Sequence, residues 1–280
     1  MTVRTVGVDW SGAVDPAVQR RCIWVAAVED GEVVEVSAGR TREETVEHLA
    51  ELARGSGRTA RPVPTLAGLD FSFGFPAWFA REHGARSGPE VWELAAARGG
   101  SWLRDCPPPF FGLRGRRRPA GVELFRATER RVAAAARVHP KSIFQLAGPG
   151  TVGPGSLRGM PLLTRLRDAG FAVWPFDPCG VWTVAEVYPA LAVGRPDLAA
   201  AVTPEGRRRV VEARCPGTSR RFPAVVEHRD AFDAVAAALL LARTPGRPAP
   251  PRERAAGLEG EIWASPARSG NGFEGHVPAP

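Results

Sequence analysis

Lysine is nearly missing from this chain of 280 residues: Lys141 is the one Lys among 37 basic residues, the rest being Arg. Cysteine is sparse, and Cys22, Cys106, Cys179 and Cys215 nowhere stand at CxxC spacing. That argues against a zinc ribbon or a redox pair and for separate reduced thiols. Long apolar runs are absent too. The longest, from Ala234 to Ala242, is nine residues, where a membrane helix needs about 20. No basic segment followed by an apolar stretch opens the chain, so neither a signal peptide nor a membrane partner is expected, and a cytoplasmic location is. There is no Walker A sequence, no HExxH and no internal repeat.

What is present is ordinary globular material. Hydrophobic residues make up 44% and charged residues 24%, which excludes a wholly disordered or fibrous chain. The net charge of +7 favours polyanions. Because almost all the positive charge is Arg, part of it reflects composition bias. The same bias singles out Lys141: either a compact ammonium is needed there where a planar guanidinium would not serve, or a lone exposed Lys has escaped the drift to Arg.

Residues 3–9 alternate as a strand ending on Asp9, and Trp10–Ala13 read as a turn. Residues 22–28 form an apolar run fit for a central strand. Asp30-Gly31 is a hairpin signal, with Glu32–Ser37 as the return strand. Thr41–Glu44 has capping-box spacing, opening a helix with Val46, Leu49, Leu52 and Ala53 on its apolar stripe. Residues 65–70 give a further strand ending on Asp70. The order is β-β-β-α-β. Helices are expected over 89–98, 121–137, 161–169 and 229–242, strands over 142–146, 171–176 and 181–187, and loops over 107–109, 114–119 and 148–155. The last residues, 265–280, are rich in Gly, Pro and Ser and read as a disordered tail behind one domain over 1–264.

Asp9, Asp70, Glu186, Asp230 and Asp233 share a trait: each stands at the edge of an apolar element, where solubility does not require a carboxylate. Parallel neighbouring strands bring their C-terminal ends together, which is where open α/β sheets bind ligands. Asp230 and Asp233 share a helix face. Clustered carboxylates repel, and a divalent cation relieves that; oxygen-only ligands select Mg²⁺ or Mn²⁺ over zinc. Two such ions can activate water and stabilise the leaving oxygen of a phosphodiester. Taken singly, Asp9 can cap the Ser11-Gly12 turn, Asp70 can bond the backbone beside Ser72, and Asp230 can be an ordinary first-turn helix acid.

Five segments in order, GVDWSGA at 7–13, GLDFSFGFP at 68–76, KSIFQLAGPGTVG at 141–153, AEVYPAL at 185–191 and HRDAFDAVAAALL at 228–240, resemble a family of bacterial and archaeal proteins called domain of unknown function 429. Its members are regarded as ribonuclease H-like nucleases. The resemblance covers about residues 3–263, with EGEIWA at 259–264 matching a closing motif. It implies an α/β fold with a ribonuclease H-like mixed sheet flanked by helices, and a large helical and loop insertion at about 76–180. It also implies metal held by Asp9, Asp70 and Asp230 or Asp233, with Glu186 in a motif of less defined role.

Other signals concern the substrate. Gly148–Gly153 matches GxGxxG, but its prolines and its place in the chain argue against a dinucleotide site. A loop whose amides, Gly150 among them, meet a phosphate with Lys141 fits better than that, beside the plainer reading of a structural loop. Ser11 and Ser72 follow the two strand-end acids as substrate-binding candidates. Arg116 and Arg117 lie in the densest basic patch, just after Phe110 and Phe111, a pairing that suits single-stranded nucleic acid. The expected activity is metal-dependent phosphodiester hydrolysis on nucleic acid or nucleotide. The alternatives are an enzyme acting on a small nucleotide or phosphate ester in a closed pocket, and a non-catalytic nucleic-acid-binding module.

Overall fold

The computed structural model describes residues 3–55, 62–136, 138–243 and 255–263. Six strands, β1 (Arg4–Asp9), β2 (Trp24–Glu29), β3 (Glu32–Ser37), β4 (Thr65–Leu69), β5 (Ala172–Trp174) and β6 (Trp182–Glu186), form one mixed sheet in the order β3-β2-β1-β4-β6-β5. β1 is antiparallel to β2, and β2 to β3; β1, β4, β6 and β5 run parallel. The β2–β3 turn places Asp30 at φ 50° and Gly31 at φ 82°. Two successive positive φ values match the twist of a tight hairpin, which is why the Asp-Gly pair sits there.

The helices are α1 (Pro16–Cys22), α2 (Arg42–Arg54), α3 (Ala77–Glu82), α4 (Gly88–Asp105), α5 (Ala127–Ala136) and α6 (Gly153–Asp168) in the first two thirds of the chain. α7 (Ala190–Ala200), α8 (Pro204–Glu212), α9 (Thr218–Arg221), α10 (Ala224–Glu227), α11 (Arg229–Ala242) and α12 (Ala256–Glu259) follow. The capping box at Thr41 is formed in both directions. Among the described residues no helix is long and apolar enough to cross a membrane.

The pleat divides the sheet residues between two layers. Val6, Val8 and Leu69 bury against α2, α4 and α6 on one face. Ala26, Val28, Ala185 and Val187 bury on the other, against the apolar side of α11. α7, α8 and α10 close round α11.

Several boundaries differ from expectation. Cys22 ends α1 instead of opening a strand; Asp15 caps that helix and Pro16 fits its first turn, where a missing N–H costs nothing. Residues 121–126 are non-helical, and α5 starts only at Ala127. Gly153 belongs to α6, so the glycine loop ends at Val152 and Pro161 lies inside the helix, not at its start. Residues 142–146 form no strand; Gln145 makes only an isolated bridge to Phe111. β5 comes from within the 76–180 segment and takes the sheet edge beyond β6. The expected tail at 265–280 lies outside the described residues.

Candidate functional site

Three residues of β1 set the geometry. Thr5, Gly7 and Asp9 share one face of the strand by the two-residue period. Thr5 Oγ1 donates to the Ala238 carbonyl at 3.0 Å. At Gly7 an added Cβ would stand 2.1 Å from the Ala234 oxygen, so only glycine lets α11 lie this close. Two strand residues advance about 6.7 Å and four helical residues about 6 Å. Strand and helix therefore keep step in opposite directions: Thr5 with Ala238, Gly7 with Ala234, and next Asp9 with Asp230. Asp233, three residues further along α11, shares that face.

Asp70 arrives from the neighbouring strand. Val8 pairs with Leu69 in the parallel ladder, and the Asp70 amide continues it by donating to the Val8 carbonyl at 3.1 Å. Asp70 thus occupies the rung beside Asp9, one strand spacing away, about 4.8 Å.

The electrostatics follow from this placement. Burial, and then the carboxylates of Asp70, Asp230 and Asp233, push the Asp9 pKa well above the ordinary Asp value. Burial, then Asp233 and Glu186, do the same to Asp70. Burial raises Asp230 against the pull of His228 and Arg229. It also raises Asp233, although Asp233 Oδ2 accepts from Arg229 Nε at 2.7 Å. Asp9, Asp70 and Asp230 accept no side-chain hydrogen bond from any described residue. Asp9, Asp70 and Asp230 thus line one cavity at this end of the sheet and have no side-chain donor among the described residues, while Asp233 interacts with them electrostatically without lining it.

Glu186 is used differently. It pairs in register with Leu69, so it points to the opposite face from Asp70. There it accepts from Arg126 Nη1 at 2.8 Å and Nη2 at 2.5 Å, and from the Phe73 amide at 3.0 Å. Arg126 is fully buried and also binds Glu129, Ser72 Oγ and the Glu259 carbonyl. Breaking a buried pair of this kind typically costs about 3–5 kcal/mol, since the remaining charge stays uncompensated. Glu186 therefore ties Arg126 to the end of the sheet, and it lines the same cavity as Asp9, Asp70 and Asp230.

A cavity of about 440 Å³ is lined by Asp9, Asp70 and Asp230 together with Lys141, Gly150 and Thr151. Lys141 is exposed, and its Cε would stand 3.3 Å from a Cβ built on Gly150, so the side chain lies along the glycine loop. Ser72 also lines this cavity, with its Oγ held by Arg126. Ser11 does not line it: Ser11 Oγ accepts from the Ala13 amide at 3.2 Å and shapes the turn after β1. Arg116 and Arg117 are exposed on the 114–119 loop and do not line it either.

Two residues of this region escaped the sequence reading. Tyr188, the chain's single Tyr, lines the cavity. Burial, Asp70 and Asp233 push its phenol up to about 12, which keeps it a hydrogen-bond donor beside the acids. Its place two residues after a strand-end acid was the available signal. Arg126 carried no signal, since nothing local separates it from the other arginines.

Among the described residues no group of three or more His, Cys, Asp or Glu side chains is placed to hold a metal ion, and Asp233 is tethered to Arg229. The donor chemistry nonetheless fits a hard divalent cation: all four side chains are carboxylates, and a cation would relieve the repulsion that now favours their protonated forms. Compared with protein-family models, with curated proteins and with solved structures, the chain matches none.

Proposed function

We propose that this chain is a divalent-cation-dependent hydrolase of phosphodiester bonds in nucleic acid, with a ribonuclease H-like core, akin to the domain of unknown function 429 proteins its motifs resemble. The observation that carries this reading is the placement of Asp9, Asp70 and Asp230 in one cavity at the C-terminal end of two parallel strands, with Asp233 interacting nearby and no side-chain donor to the three among the described residues. A structural acid cluster would be expected to hold donors that neutralise it. The hairpin-first sheet order supports the core assignment, and a nucleic-acid substrate suits the cytoplasmic location expected from the sequence.

Asp9 and Asp70 would hold the cation, completed by Asp230 or Asp233. When bound, Mg²⁺ or Mn²⁺ supplies Lewis-acid activation of water and charge neutralisation at the phosphodiester. The chain's own contribution is positional. The ladder between β1 and β4 fixes the two first acids, and the close packing of α11 on Gly7 fixes the third. Lys141, Gly150 and Thr151 line the same cavity, where the ammonium and loop amides would meet phosphate oxygens. Tyr188, kept protonated by its neighbours, donates toward the same space.

The test is hydrolysis of labelled oligonucleotides and of bis(p-nitrophenyl) phosphate with Mg²⁺, Mn²⁺ or EDTA. Turnover is expected only with a cation, and Asp9→Asn and Asp70→Asn are expected to lower it about a hundredfold or more. Turnover in EDTA, or full activity in both variants, would overturn the proposal.

A further inference from the structure

A second cavity of about 380 Å³ adjoins the first, and the two share Glu129, Pro140 and Lys141 as a common wall. Its lining differs from that of the acid site: beside Glu129 it holds Arg118, Arg130 and Lys141 as cationic groups and Phe111 and Phe125 as aromatic rings. The Arg118 guanidinium lies over the Phe125 ring, 5.5 Å from its centre. Arg130 is tied to Glu123 at 2.9 Å, but Arg118 and Lys141 have no ion-pair partner among the described residues. The two volumes each fall in the range of about 300–1,000 Å³ usual for ligand sites.

Aromatic rings beside cations with no ion-pair partner among the described residues match one ligand chemistry well: a nucleobase that stacks with the Arg118–Phe125 pair and a phosphate that pairs with the charge. A base inside a duplex is stacked on its neighbours and has no free face to offer. A mononucleotide placed over the acids would leave the second cavity unused. We infer that the second cavity is a binding subsite for a nucleotide flanking the scissile bond, so that the substrate is a single strand crossing the Lys141–Pro140 wall. This inference rests on the hydrolase reading and names its substrate class. Lys141 then contacts the phosphate between the two sites. Arg118 and Phe125 hold the flanking base, and the 114–119 loop supplies recognition through Arg118, not through Arg116 or Arg117.

The experiment is fluorescence anisotropy with the full chain carrying Asp9→Asn, using labelled single strands of ten nucleotides in DNA and RNA, the matching duplexes and a labelled mononucleotide. Single strands are expected to bind about tenfold or more tighter than duplex or mononucleotide. Phe125→Ala and Arg118→Ala should each weaken that binding about tenfold, while Arg209→Ala, which removes an equal exposed charge on α8, should not. Phe125 packs partly against the core, so Arg118→Ala, on an exposed side chain, covers the case in which Phe125→Ala fails to fold. Arg118→Ala should also flatten the salt dependence of log K by about 0.7, one phosphate's worth. Equal binding of mononucleotide and strand, a preference for duplex, or parent-like binding by Arg118→Ala and a folded Phe125→Ala would each overturn the subsite. Tight, Arg118-dependent strand binding with no cleavage by the parent chain under any cation would instead strike the hydrolase reading and leave the subsite standing.

Discussion

Asp9 is the residue on which stability and activity should pull apart. Its carboxyl binds a proton more tightly in the folded chain than in the unfolded one, because burial and three acidic neighbours disfavour the charge. The sign follows from linkage. Below the ordinary Asp value of 3.8 both states are protonated and nothing is lost. As pH rises above it, the unfolded chain releases the proton first, and the folded state loses stability until the raised folded value is passed. In EDTA, Asp9→Asn should therefore melt higher than the parent, with the margin growing from pH 4 upward. A gain of 1 kcal/mol corresponds to about 2–4 °C in a chain of this size. Thermal melts across pH in EDTA check this, and a lower melting temperature for Asp9→Asn would make Asp9 a structural group. The acids were legible in the sequence because a carboxylate at the edge of an apolar element is locally anomalous. Glu186 carried the same anomaly, yet its partner Arg126 lies 60 residues away, and no local pattern reveals a pairing at that range. The spread of Arg through the chain hid which of them is buried.

At the scale of the element, the site depends on how closely α11 can approach β1. Gly7→Ala would drive a Cβ into the Ala234 oxygen and the Ala238 nitrogen, at 2.1 and 2.5 Å. Backbone on a packed helix cannot step aside cheaply, so the substitution should cost about 1–3 kcal/mol or more and displace Asp230 from Asp9. Gly100→Ala in α4 is the contrast: a Cβ there meets nothing within 4 Å, and the change should stabilise by up to about 1 kcal/mol. Denaturant melts of the two variants test the contrast, and equal stability for Gly7→Ala and the parent would contradict the packing. β1 to β4, α2 and α11 were legible because period, turn residues and caps agreed there. Only the second half of α6, within the helix expected over 161–169, was legible, because two glycines and a proline at its start look like loop punctuation, although proline suits a helix's first turn. α1 was hidden for the opposite reason, being only seven residues long with a short apolar face.

At the scale of the whole molecule, a chain of net charge +7 places Asp9, Asp70 and Asp230 in one cavity and Arg118 and Lys141, which have no ion-pair partner among the described residues, along the adjoining one. A polyanion is drawn to the basic side and is repelled at the acids until a cation intervenes. The sheet order brings β1 and β4 side by side and so creates the site; that much followed from the β-β-β-α-β order. The second cavity did not, since it joins residues 111–125 to residues 130–145 through contacts with no repeating period. The most direct measurement is anomalous diffraction from crystals of the full chain soaked in Mn²⁺. The account predicts a manganese peak between the carboxylates of Asp9 and Asp70, with Asp230 or Asp233 turned toward it. Soaked crystals with no peak there, or with manganese bound only elsewhere on the chain, would contradict it.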